Sequence, residues 1–266
     1  MATSILQRNN VKLLGNGSQT IIFAHGFGSD QTAWRHQVQA FASDYRIVVF
    51  DHVGAGKSDF AAYSPRRYSS LYSYAEDLLD LCDELKLSQC TLIGHSVSGM
   101  VSLLAALVKP QCFSKLIFVG ASPRYLNDRE YTGGFEQSDL DALYAAMSSN
   151  YYAWASGFAP LVMGNPNQPE LATEYANTLA AIRPDIAQSV ARVIFQADHR
   201  ADLLRLKVPT VILQSNNDIA VPPEVGQYMA DKIPHGKLIP ISASGHLPHL
   251  SAPNTVTSAI AACLTA

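Results

Sequence analysis

Charge is the first scarcity in this chain. Asp, Glu, Lys and Arg make up 15% of its 266 residues, with 19 basic against 22 acidic side chains and a net charge of −3; an average soluble domain carries about 25%. No run of Lys or Arg occurs, so neither a nucleic-acid footprint nor a polybasic membrane patch is expected. Long hydrophobic runs are also missing. The longest apolar stretch, Met100 to Val108, already contains Ser102 and falls far short of the ~18 residues of a membrane span. The 4 cysteines (Cys82, Cys90, Cys112 and Cys263) form no CxxC pair and no metal spacing, which reads as reduced thiols. Residues Met1 to Asn10 show no basic region followed by an apolar core, the pattern of a signal peptide. The expectation is a cytoplasmic monomer with no membrane, nucleic acid, metal or cofactor in its chemistry.

What the chain has is hydrophobic material, 48% of residues, enough to bury one large core without staples. Short β-branched runs alternate with helical patterns. The strand candidates are Thr20 to Ala24, Arg46 to Phe50, Cys90 to Gly94, Lys115 to Val119, Thr210 to Gln214 and Lys237 to Ile241. They are almost continuously apolar, as strands buried on both faces are. Helical patterns fall at Gln31 to Ala42, Leu71 to Leu85, Ser98 to Val108, Pro223 to Lys232 and Asn254 to Leu264. The alternation predicts an α/β protein with a mostly parallel central sheet and helices on both faces. One region interrupts it. From Tyr125 to Gln196 no buried strand run occurs. Leu140, Leu143, Tyr144 and Met147, then Trp154, Phe158 and Leu161, fall at helical spacing. Residues 1–124 and 197–266 are therefore expected to form the core, and residues 125–196 a four-helix lid over the sheet's carboxyl edge, where open α/β sheets keep their sites.

Directly after the run Cys90 to Gly94 comes Gly94-His95-Ser96-Val97-Ser98-Gly99, followed by an apolar helix. This is the strand–turn–helix setting of a nucleophile elbow, in which small residues let a sharp turn present the serine at the top of the sheet. The usual pattern is GxSxG; here Ser98 holds the last position and Gly99 follows it. A serine hydroxyl needs a base, and the base an orienting group, in the order Ser, acid, His for this architecture. Asp218 follows the strand run Thr210 to Gln214, and His246 follows Lys237 to Ile241. Three strands thus deliver Ser96, Asp218 and His246 to one edge. For the oxyanion, the donors expected are the amides of Val97, next to the nucleophile, and Phe27, in the glycine-bearing loop His25-Gly26-Phe27-Gly28.

Two motifs imitate other chemistries. Gly54-Ala55-Gly56-Lys57-Ser58 ends like a phosphate loop, but the glycine required five positions before Gly56 is Asp51. His246 and His249 are spaced HxxH, yet Pro248 between them breaks helical presentation and no third ligand lies nearby. Cys82 and Cys112 read as helix and loop filler.

The chain resembles the α/β-hydrolase superfamily, and within it the group of bacterial RsbQ-type stress regulators and plant karrikin and strigolactone receptors. The likeness is carried by His25 to Gln31, Gly94 to Gly99, Ser122 to Asp128, Gly133 to Glu136, Gly157 to Pro160, Arg183 to Ala187 and Gly245 to His249. It runs nearly end to end. It implies an α/β-hydrolase fold with a four-helix lid over an apolar pocket. Phe27, Tyr125, Phe135, Trp154, Phe158, Phe195, Ile219 and Leu247 are the lining by position. It further implies slow hydrolysis of a small apolar ester or butenolide-type lactone, with a signalling role as the alternative. The partner would then be a phosphatase if the protein is RsbQ-like, or a ubiquitin-ligase component if it follows the plant members.

Overall fold

The computed structural model describes residues 4–265. Each apolar run read as a strand forms one. Strands β1 (Lys12–Leu14), β2 (Thr20–Ala24), β3 (Arg46–Val49), β4 (Cys90–His95), β5 (Phe113–Val119), β6 (Thr210–Asn217) and β7 (Gly236–Ser244) make one sheet in the order β1-β3-β2-β4-β5-β6-β7. β1 is antiparallel to β3, and every other neighbouring pair is parallel. Helices α1 (Ile5–Arg8), α2 (Arg35–Phe41), α3 (Leu71–Glu84) and α4 (Val97–Val108) precede β5. Helices α5 (Gln137–Ser149), α6 (Tyr151–Met163), α7 (Pro169–Ala180) and α8 (Pro184–Phe195) form the insertion between β5 and β6. Helices α9 (Arg200–Leu203), α10 (Pro223–Lys232), α11 (Pro248–Ser251) and α12 (Pro253–Thr265) complete the chain. Among the described residues no helix is long and apolar enough to cross a membrane.

A parallel strand must bury both its faces, and alternate side chains go to different layers here. Ile21 and Phe23 of β2 pack with Trp34, Phe41 of α2, and Val256 and Ile260 of α12. Ile22 and Ala24 pack on the opposite face with Leu78 of α3 and Leu103 and Leu104 of α4. Three local readings differ from expectation. β1 was not anticipated, because its three residues are all exposed and too few for a period to show. β7 was expected to be buried on both faces but lies at the sheet's edge, with Lys237, Pro240 and Ser242 exposed. The helix expected over Gln31 to Ala42 begins as a 3-10 turn, Gln31–Trp34, capped by the Asp30 carboxylate on the Thr32 amide, before α2 takes over.

The sheet order sets where chemistry can happen. From β2 the chain moves outward to β3, then returns to the other side of β2 as β4. The loops leaving β2 and β4 therefore separate at their carboxyl ends, which is where open α/β sheets hold ligands.

Candidate active site

Ser96 occupies that point, between β4 and α4, with φ 55° and ψ −124°. A non-glycine residue in this region is strained, and only the surrounding packing holds it there. The neighbours show how tight the turn is. A Cβ on Gly94 would come within 2.4 Å of the Ser98 carbonyl oxygen, and one on Gly99 within 2.4 Å of the Ala121 Cβ. Gly99 thus provides the close approach of helix to strand. Ser98, at the usual glycine position, is fully buried and polar in function: its hydroxyl donates to the His25 carbonyl at 2.5 Å and lies 2.7 Å from His52 Nε2. With its one proton given to His25, Ser98 accepts from His52.

The structure brings Ser96, His246 and Asp218 together. Ser96 Oγ is 2.8 Å from His246 Nε2, and His246 Nδ1 is 2.8 Å from Asp218 Oδ2. Asp218 Oδ1 accepts from the amides of Ala220 and Val221 at 2.9 and 3.1 Å, so the carboxylate is held from both sides. Since the carboxylate only accepts, Nδ1 carries the proton and Nε2 is free to accept from Ser96. Tyr125 completes the line, its hydroxyl 3.2 Å from Ser96 Oγ. Burial holds this phenol well above its ordinary pKa, so it stays a neutral donor.

The segment carrying His246 is fastened to the insertion. The His246 amide donates to the Val162 carbonyl of α6 at 2.9 Å. Gly245, with φ +86°, has no room for a Cβ, which would sit 1.8 Å from the Met163 carbonyl oxygen. Beneath it His95 Nε2 donates to the His246 carbonyl at 2.7 Å. Across the cleft, Val97 begins α4 and Phe27 follows β2, the two positions expected to supply oxyanion donors. Among the described residues neither amide donates to a protein acceptor.

Above Ser96 is a chamber of about 30 Å³ lined by Phe27, Tyr125, Phe158, Phe195 and His246. That is room for one or two waters. Phe135, Trp154 and Ile219 stand further out, along a groove of about 490 Å³ that shares Phe158, Val162, Phe195 and Ala220 with the chamber. Leu247 belongs to neither. It is buried among Ala155, Ala159 and Leu250, where α6 and α11 meet, and it packs rather than lines. Val162, Tyr175, Ile194 and Ala220 line the chamber and were not anticipated. For Tyr175 a signal existed, because Leu171, Ala172, Tyr175 and Leu179 make one apolar face of α7.

The imitating motifs resolve structurally. The Asp51 carboxylate accepts from the amides of Gln31 and Lys57 at 2.9 Å each and from Asn10 Nδ2 at 2.7 Å. The glycine-rich loop wraps this anion of the chain itself, with the Cα of Gly56 turned against it. His246 faces Ser96, whereas His249 stacks on Trp34 with ring centroids 4.4 Å apart.

A strained serine at a topological switch point, bonded to a histidine that is bonded to a carboxylate, is the arrangement of a serine hydrolase. The family model for the alpha/beta hydrolase fold matches residues 19–253, and the chain belongs to that family. It is 47% identical over 251 residues to the karrikin insensitive 2 receptor CA of Petunia hybrida, covering 94% of this chain and 93% of that one. It is 43% identical over 256 residues to a strigolactone esterase of Pisum sativum, covering 96% of each. Among solved structures, a hydrolase from Oleispira antarctica superimposes with a TM-score of 0.96 at 37% identity, over 98% of this chain and 96% of that one. The expected kinship with plant receptors and esterases, and the hydrolase class, therefore hold.

Proposed function

We propose that the protein cleaves a small apolar ester or butenolide-type lactone through an acyl-enzyme. The observation that carries this reading is the unbroken line Tyr125–Ser96–His246–Asp218. His246 Nε2 takes the Ser96 proton as Oγ attacks the carbonyl, and Asp218 stabilises the imidazolium that forms. The Phe27 and Val97 amides receive the oxyanion, each contributing roughly 3 kcal/mol to the transition state. His246 returns the proton to the leaving oxygen, then activates the water that releases the acyl group. The apolar chamber suits a substrate without charge. Burst kinetics with 4-nitrophenyl acetate test the reading: turnover should fall by at least about 10⁴-fold in Ser96→Ala. Equal turnover by both proteins would end it.

In this reading residues 125–196 act as a lid on a core of residues 1–124 and 197–266. A second reading is favoured by the size of the chamber. A space of about 30 Å³ admits no lactone unless α6 or α8 moves, so a ligand must displace the lid that covers Ser96. A protein similar to a karrikin receptor would present that displaced lid to a signalling partner. A butenolide should then shift the melting temperature and change proteolysis within residues 125–196. Rapid ester turnover with neither response favours the plain enzyme.

A further inference from the structure

Beside Phe27 and Val97, away from the groove, the chain forms another, half-open cavity of about 40 Å³. Phe27 and Ile194 line both it and the serine chamber, so the two are neighbours across those side chains. Its wall is apolar (Val53, Leu71, Val101, Ile186 and Val190) except for His25, whose ring nitrogens are already engaged by the His52 amide at 3.0 Å and the Gly26 carbonyl at 2.8 Å, and for His52 and Tyr74. The last two are buried, at 7% and 4% exposure, and the His52 Nδ1 and the Tyr74 hydroxyl have no hydrogen-bond partner among the described residues.

The state of each follows from its neighbours. His52 Nε2 donates to Ser98 Oγ, because Ser98 has given its proton to the His25 carbonyl. His52 Nδ1 is therefore a bare lone pair, and burial with His25 alongside keeps the ring neutral. It can only accept. The Tyr74 hydroxyl can donate, and the rings stand edge to face with centroids 5.5 Å apart. Unpartnered buried polar atoms are costly, so a cavity lined by these two favours a group that satisfies both. A carbonyl would engage Tyr74 and leave His52 bare. An ammonium would bring an unpaired charge into an apolar wall. A hydroxyl donates to His52 and accepts from Tyr74.

We propose that this cavity is a second compartment of the substrate site, taking a short apolar arm that ends in a hydroxyl, so that the preferred ester or lactone is a hydroxyalkyl one. The proposal rests on the hydrolase reading for the position of the reacting carbonyl, and it makes His52 and Tyr74 specificity residues outside the catalytic line. A site that hydrogen-bonds a substrate hydroxyl rejects the analogue lacking it, because its own groups are then left unpaired.

The test separates binding from chemistry. In Ser96→Ala, calorimetry compares two γ-lactones with arms of equal length, one alkyl and one hydroxyalkyl. The hydroxyalkyl lactone should bind at least about 10-fold tighter. Adding Tyr74→Phe, which removes one oxygen and keeps the ring, or His52→Phe should reduce that ratio to below about 3-fold while the alkyl lactone binds as before. Equal binding of the pair, which is the result expected if the cavity holds only water, overturns the proposal. So does a preference that survives both substitutions, or the absence of binding by either lactone. Failure of the hydrolase reading appears elsewhere, as 4-nitrophenyl acetate turnover that does not depend on Ser96.

Discussion

At the scale of single residues, Asp218 and Ser98 carry the sharpest consequences. Asp218 fixes the His246 tautomer by accepting from Nδ1 at 2.8 Å. Asp218→Asn presents an amide that can donate to Nδ1, which moves the ring proton to Nε2 and removes the base. Turnover should fall by about 10⁴-fold with the melting temperature little changed, as read by steady-state kinetics beside calorimetry. Ser98 bears on the sequence pattern itself. Ser98→Gly restores the common GxSxG spelling, yet here it strips His52 Nε2 and the His25 carbonyl of their buried partner. The cost is about 1–3 kcal/mol, and thermal melting should show a loss on the order of 5 °C. A gain in stability would mean that Ser98 is only a tolerated departure from glycine. Ser96, Asp218 and His246 were legible because each stands at the carboxyl end of an apolar strand run, in a fixed order. Ser98's bonds were not, because they run to His25 and His52, far off in sequence, and no local pattern records such contacts. Leu247 was expected in the pocket lining from the resemblance alone, and here it is buried with Ala155, Ala159 and Leu250 instead.

At the scale of elements, the insertion holds the catalytic edge through α7 as well as α6. Tyr175 donates to the Phe27 carbonyl at 3.1 Å and Thr178 to the Gly28 carbonyl at 2.8 Å. These bonds fix the peptide planes of the loop whose Phe27 amide is assigned to the oxyanion. Removing both, in Tyr175→Phe with Thr178→Val, should lower kcat by about 10-fold while KM changes little, since the donor is misaimed only where charge develops. The neighbouring ion pair of Arg35 with Glu174, at 2.6 and 2.9 Å, joins α2 to α7 but is more than a third exposed on both sides. It contributes under about 1 kcal/mol and is screened by salt. Arg35→Ala should therefore leave kcat within about 2-fold, and a larger loss would assign the coupling to the ion pair. The helices of the insertion were readable from their spacing because burial of one face imposes a period of 3.6. Their seating was not readable, since it depends on hydrogen bonds to backbone carbonyls that any sequence supplies. β1 marks the other limit: at the edge of a sheet burial is partial, and its three exposed residues carry no hydrophobic signal.

At the scale of the whole molecule, the site stands on a cluster of buried histidines. His95 lies between His246 and His249, with ring centroids 5.0 and 4.5 Å away, and His52 packs against His25 at 4.7 Å. Burial pushes His249 down to about 3, and the nearby His246, Arg35 and His36 act in the same direction. Burial likewise holds His95 and His52 well below the ordinary value of 6.5. A histidine with a depressed pKa binds its proton in the unfolded chain before the folded one. Stability is therefore complete above about pH 6.5 and is lost as the pH falls from there toward 3. Each unit costs about 1.4 kcal/mol per such group, so His249 alone removes roughly 3 kcal/mol by pH 4.5. Against a total of about 5–15 kcal/mol, that loss is large, and His95 and His52 act in the same direction. The buried Asp77 carboxyl is raised by desolvation and opposes the trend only lower down, where carboxyls titrate. Urea midpoints measured between about pH 7 and 5 should fall continuously with acidity. His249→Phe keeps the stack on Trp34 and removes one titrating ring, so its midpoint should match the wild type near pH 7 and exceed it at pH 5. Parallel profiles for the two proteins would mean that His249 takes up its proton without unfolding the chain around it.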